Sequence, residues 1–77
     1  MTLKIISAEN IEFEGTVTSV TLPGMQGMFQ VLDNHAALIA ALKAGCVTYV
    51  TEQETCTRDI KGGVADIKNN VVSVCLY

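Results

Sequence analysis

Seventy-seven residues with a formal net charge of −3 set the first limits. A chain of that length holds one hydrophobic core and buries only about 60–65% of the surface its unfolded form exposes. Its basic residues, Lys4, Lys43, Arg58, Lys61 and Lys68, are scattered and lack aromatic neighbours, which excludes the clustered basic surface of a nucleic-acid binder.

In chain order, the first apolar run is Leu3–Ser7, with Leu3 and Ile5 on one face and Ile6 on the other. Ile11 and Phe13 alternate before Gly15. In Thr16–Leu22, Val17 is out of phase with Val20 and Leu22, which predicts a bulge that re-aims the strand. Met28–Leu32 follows a glycine turn at Pro23-Gly24 and Gly27; Cys46–Thr51 and Cys56–Ile60 flank the polar Glu52–Thr55 turn. Val64–Lys68 and Val71–Tyr77 are joined by Asn69-Asn70. Asparagine tolerates the positive φ that a two-residue type I′ hairpin needs at both positions. Short Val-, Ile- and Thr-rich runs between turn residues at this spacing predict an all-β sandwich or barrel.

The segment Ala36–Ala44 reads, on local grounds alone, as a helix. Its composition has high helix propensity, Asn34 is placed to cap it and Gly45 to end it.

Candidate chemistry is sparse. His35 stands alone, without a second His or a nearby Cys, and reads as a turn residue. Glu9, Glu12 and Glu14 cluster, but Glu12 and Glu14 flank Phe13 with strand alternation and read as a solvated face. Neither Gly24–Gly27 nor Gly62-Gly63 carries the GK[ST] of a phosphate loop; paired glycines more often permit a bend or a close backbone approach. Cys46, Cys56 and Cys75 are odd in number with no CxxC, so they are expected to be free, mostly buried thiols in a reducing compartment. No catalytic residue, cofactor site or metal site is predicted. No apolar run reaches the roughly 18–20 residues that span a bilayer, nor does the start resemble a signal peptide. Met25, Met28 and Phe29 are the exception to a bland surface: apolar residues at a glycine turn, suited to an adaptable contact or, for Phe29 and Met28, to the core.

Taken together, "LKIISAE", "FEGTVTSVTLPGMQGMF", "NHAALIAALKAG" and "IKGGVADIKNNVVSV" resemble, in order and over nearly the whole chain, the epsilon subunit of the F-type rotary ATP synthases. Asp33 and Ala37 stand where that family usually has prolines, Ala65-Asp66 replaces an acidic-Val pair, and Met28 occupies a turn position that is often acidic; these departures bear on loop shape and partner contacts. The resemblance implies a flattened β-sandwich of about ten short strands in two sheets, a single domain over residues 1–77, and a strand rather than a helix within Ala36–Ala44. It implies a non-catalytic central-stalk part that grips the gamma subunit, rests on the membrane c-ring and couples ion-driven rotation to ATP synthesis. Its place would be the cytoplasmic face of the bacterial plasma membrane, touching the membrane only through the complex. Carried over by position, the ring-facing loop is Gly24, Met25, Gln26, Gly27, Met28, Phe29 and Gln30, and the gamma-facing surface includes Ser7, His35, Leu38 and Ala40. Longer members follow the sandwich with a helical hairpin. No such segment follows Val71–Tyr77 here, so the expectation is coupling without regulation and without ATP binding. Two other readings remain: a lipoyl- or biotinyl-type carrier, with Lys43 or Lys61 as its modified tip, and a free-standing adaptor.

Overall fold

Alternation along the apolar runs becomes nine strands and no helix in the computed structural model, which describes residues 1–77. These are β1 (Thr2–Ile6), β2 (Ile11–Thr16), β3 (Ser19–Gly24), β4 (Gly27–Leu32), β5 (Leu38–Leu42), β6 (Gly45–Val50), β7 (Thr55–Ile60), β8 (Gly63–Lys68) and β9 (Val71–Leu76). They form one continuous sheet in the order β2-β1-β9-β8-β5-β3-β6-β7, with β4 paired to β3. The expected all-β class holds, with nine strands in place of about ten.

The sheet curls into a sandwich because β3 serves both halves. Along one edge it pairs with β4 over its whole length. Along the other, Ser19–Thr21 pair with β6, while Gly24 pairs with Leu42 of β5. The two ends of the strand order then meet. The Phe13 ring of β2 packs on Tyr49 of β6 at a centroid separation of 4.6 Å, and Arg58 of β7 donates from Nε to Glu12 of β2 at 2.9 Å and pairs with it again through a second guanidinium nitrogen.

Period-two burial supplies the core. Leu3 and Ile5, Val20 and Leu22, Ala65 and Ile67, and Val72 and Val74 point inward from β1, β3, β8 and β9. Val17, Val31, Leu42, Val47 and Ile60 complete the cluster. Burial of such side chains is the main favourable term, worth about 1.5–3 kcal/mol each before conformational entropy is set against it.

Three expectations are corrected. Thr16–Leu22 is not one bulged strand: β2 ends at Thr16, β3 begins at Ser19, and Val17 lies buried between them. Its N–H donates to the Met1 carbonyl at 2.9 Å and the Thr18 N–H to the Val50 carbonyl at 2.7 Å. The chain changes partner strands here, and a buried Val at the crossing has no strand phase to obey. The register irregularity falls instead between Ile5 and Ile6, opposite β2. Finally, Cys75 is exposed and Cys46 and Cys56 are only half-buried, because with Val72 and Val74 inward the pleat turns Cys75 outward. All three are free thiols.

The helix-prone segment is a strand, as the resemblance implied. Leu38–Leu42 pair over five positions with Ile67–Gly63 of β8, and a helix there would strip β8 of those ladder bonds. Asn69 and Asn70 take φ of 53° and 62° in the β8–β9 hairpin, as their sequence predicts.

Candidate functional site

The glycine turn and β5 together build a groove. Gly24 pairs with Gly27, leaving Met25 and Gln26 as the two turn residues. Gly27 takes φ 130°, a conformation that side chains disfavour. A Cβ on Gly24 would sit 2.8 Å from the Gly27 carbonyl oxygen and 2.9 Å from the Phe29 ring; the absence of one lets Phe29 lie across the strand. Two backbone bonds lash the turn to β5: Met25 N–H to the Ala41 carbonyl at 3.0 Å, and Lys43 N–H to the Pro23 carbonyl at 2.9 Å.

Between turn and strand lies a groove of about 490 Å³ lined by Gly24–Phe29 and by Leu38, Ile39, Ala40 and Ala41. Met25 and Met28 are each 61% exposed and Ile39 is 73% exposed, far from where hydrophobic burial alone would leave them. Phe29 is half-buried and packs against the core. No lining residue is ionisable.

Of the residues singled out in the sequence, Gly24, Met25, Gln26, Gly27, Met28 and Phe29 line this groove together with Leu38 and Ala40. Gln30 is exposed on β4 beyond it. Gly27 to Gln30 belong to a strand, so only Met25-Gln26 is loop. Ser7 and His35 lie outside the groove. The Ser7 hydroxyl accepts from the Asn10 N–H at 3.3 Å and organises the β1–β2 turn. The His35 N–H closes a turn onto the Leu32 carbonyl at 3.1 Å, and its Nδ1 lies 2.7 Å from the Ala36 carbonyl oxygen. Ile39 and Ala41 also line the groove but were not singled out in the sequence.

A second apolar feature leaves the groove at Ala41. Register places Ala41 beside Val64, Val64 beside Cys75, Cys75 beside Ile6 and Ile6 beside Ile11. This outward row crosses five strands at one end of the sheet, roughly 19 Å at the usual interstrand spacing. The next outward row is polar: Asp66, Ser73, Lys4 and Glu14.

The perturbed titrations lie away from the groove. The Met1 ammonium, 3.0 Å from Asp33, and the Asn70 amide, 3.3 Å from it, hold that carboxyl below its ordinary range. Burial and the neighbouring Cys56 push the Tyr49 hydroxyl up. No three His, Cys, Asp or Glu residues gather into a metal-binding group.

The fold is a curled β-sandwich that presents an uncharged, backbone-braced apolar groove. Comparison with known proteins gives the lineage. The family described as "ATP synthase, Delta/Epsilon chain, beta-sandwich domain" matches residues 1–76, and the chain belongs to it. Relatives include the ATP synthase epsilon chains of Chlorobaculum tepidum, 40% identical over 70 residues (90% of this chain, 80% of the relative), and of Rickettsia typhi, 40% identical over 75 residues (94% and 68%). That of Leptospira borgpetersenii is 34% identical over 74 residues, with 96% of this chain covering 58% of the relative. The chain thus spans from just over half to four fifths of the length of these relatives. Among solved structures, the Euglena gracilis mitochondrial ATP synthase contains a chain that superposes with a TM-score of 0.90 at 21% identity, over 96% of this chain and 48% of that one. A chain in the central stalk and c-ring of the Tetrahymena thermophila mitochondrial ATP synthase reaches 0.84 at 10% identity, over 99% and 62%. At those identities the likeness concerns the fold.

Proposed function

We propose that this chain is the sandwich domain of a non-catalytic central-stalk subunit of a rotary ATP synthase, which binds the gamma subunit and the c-ring and couples ion-driven rotation to ATP synthesis. The observation that carries this reading is the exposed groove, in a chain of the epsilon family, walled by the Gly24–Phe29 turn on one side and by Leu38–Ala41 on the other. The turn, with Gln30 beyond it, faces the ring; Leu38 and Ala40, with Ser7 and His35, face gamma. The shared groove puts the two contact surfaces side by side, as a part bridging stalk and ring requires. No helix is long and apolar enough to cross a membrane. The reading places the chain at the cytoplasmic face of a bacterial plasma membrane, held there through its partners. Family membership also displaces the carrier reading, which rested on Lys43 or Lys61 alone.

The test is reconstitution. The tagged chain is added to ATP synthase particles depleted of their own epsilon subunit. The expected result is co-purification of gamma and the c-ring with restored coupling of ATP hydrolysis to ion pumping, and no ATP turnover by the chain alone. Folded chain that fails to bind gamma-containing particles overturns the reading.

A further inference from the structure

At the end of β4 away from the glycine turn, one side chain joins two loops that lie far apart in sequence. Residues 33–37 lead from β4 into β5, and Asn70 closes the β8–β9 hairpin. The Asn70 carboxamide oxygen accepts from the Asn34 N–H at 2.8 Å, and its nitrogen donates to the Asp33 carboxylate at 3.3 Å, across 36 and 37 positions of the chain. The Asn70 backbone carbonyl accepts from the Thr2 N–H at 3.1 Å, so this node is anchored in the sheet before it reaches the loop. Asn34 takes φ 62°, a left-handed conformation that is costly for a residue with a side chain and that is held here by its bonded N–H. The next residue, His35, turns its own N–H onto the Leu32 carbonyl at 3.1 Å. Its Nδ1 lies 2.7 Å from the Ala36 carbonyl oxygen; a carbonyl partner puts the proton of the neutral ring on Nδ1 and leaves Nε2 as an acceptor. The imidazole is thus fixed by its own loop, and the loop by Asn70.

Resting on the function proposed above, we infer that Asn70 is a positioning residue for the gamma contact: it holds residues 33–37 in place and so presents His35 to the partner. A loop fixed in advance loses little freedom on binding, whereas a released one must be ordered by the partner at the expense of affinity. The same two bonds also stabilise the folded chain, so a lower melting temperature is expected of a positioning role and of a merely structural one alike. Affinity and the state of the His35 ring separate the two.

Asn70→Gly keeps the left-handed backbone, which glycine adopts freely, and removes both side-chain bonds. Asn69→Gly, at the neighbouring hairpin position with φ 53°, is the control. Each chain is titrated onto ATP synthase particles depleted of their own epsilon subunit, and melting curves verify that it is folded. Asn70→Gly is expected to raise the Kd about five- to tenfold, and Asn69→Gly less than about twofold. In the free chains, the nuclear magnetic resonance signals of the His35 ring should move in Asn70→Gly and stay in place in Asn69→Gly. Asn70→Asp sets a carboxylate against Asp33 and should also weaken binding. Adding Asp33→Asn to it restores one donor and one acceptor in reversed order, and should return the Kd to within about twofold of that of Asp33→Asn alone. An unchanged Kd in Asn70→Gly, whatever its melting temperature, overturns the inference, as does a loss of affinity that the reversed pair fails to restore. A folded wild-type chain that does not bind the particles overturns the proposed function, and the inference with it.

Discussion

Replacing Gly63 with alanine should be among the most damaging single-methyl additions this sheet can receive. Gly63 opens β8, pairs with Leu42 on one side and Leu76 on the other, and is fully enclosed. A Cβ built there collides with the Cys75 carbonyl oxygen and comes within 3.2 Å of its carbonyl carbon and 3.3 Å of the Leu76 Cα. All three are backbone atoms, so no rotamer change relieves the contact, and β9 must retreat by about 1 Å to restore ordinary packing. Overpacking of this kind costs about 1–3 kcal/mol, and straining the adjoining ladder bond adds about 1 kcal/mol. Against a total stability of about 4–12 kcal/mol for a domain of this size, a loss of about 2–4 kcal/mol is severe. At about 4–8 °C per kcal/mol, the melting temperature should fall by roughly 8–32 °C in calorimetry. Gly15→Ala is the control: its Cβ would meet only the Phe13 ring, at 3.1 Å, and a ring edge can swing aside. That variant should lose under about 1 kcal/mol. Equal losses in the two variants would refute the argument that backbone proximity, rather than glycine as such, decides the cost.

Three further outcomes follow from the description of the fold. Asp33, whose carboxyl is held below its usual range by the Met1 ammonium and Asn70, contributes stability that is present above the unfolded-state value and lost as pH falls through the lower folded-state value; the advantage of wild type over Asp33→Asn should therefore be full at neutral pH and vanish in acid, and a gap that widens below pH about 3.8 contradicts it. In the folded protein a thiol reagent should modify Cys75 well before Cys46 and Cys56, and slower labelling of Cys75 would reverse the assigned facing of β9. The Glu12–Arg58 pair is partly exposed, with side-chain accessibilities of 27% and 41%, so a double-mutant cycle should return about 0.5–1 kcal/mol; a coupling above about 2 kcal/mol would show that the clasp does far more than a screened surface pair.

Much of the fold was legible because alternation carries its own register. Leu3 and Ile5, or Val72 and Val74, announce both the strand and its inward face. Cys75 was legible too, since two residues in phase fix the parity of the third, and treating cysteine as apolar by default hid it. Ala36–Ala44 was not legible from local physics: every intrinsic preference favours helix, and only the five-position pairing with β8 overrules it. The crossing at Val17-Thr18 was hidden for a related reason, because a change of strand partner leaves no periodic trace. At the groove, exposed methionines beside a glycine turn could be read in advance. Ile39 and Ala41 could not, because their meeting with the turn depends on a single tertiary pairing, Gly24 with Leu42.

The parallel pairing of β1 with β9 has a consequence in time. Thr2 lies beside Val71 and Ile6 beside Cys75, so β1, once made, finds one of its two partners only after β9 has been made. At about 5–20 residues per second, β1 waits roughly 4–15 s with that edge unpaired. Closing so long a loop also slows the search itself, and sheets dominated by distant pairings fold in about milliseconds to seconds. Hairpins such as β8–β9, closed by two asparagines, form within about 1–10 μs, after which β9 still needs β1 and β8 needs β5. Transposing β1 to follow β9 through a short linker would turn the most distant pairing into a local one. Such a permuted chain should refold measurably faster while presenting the same groove.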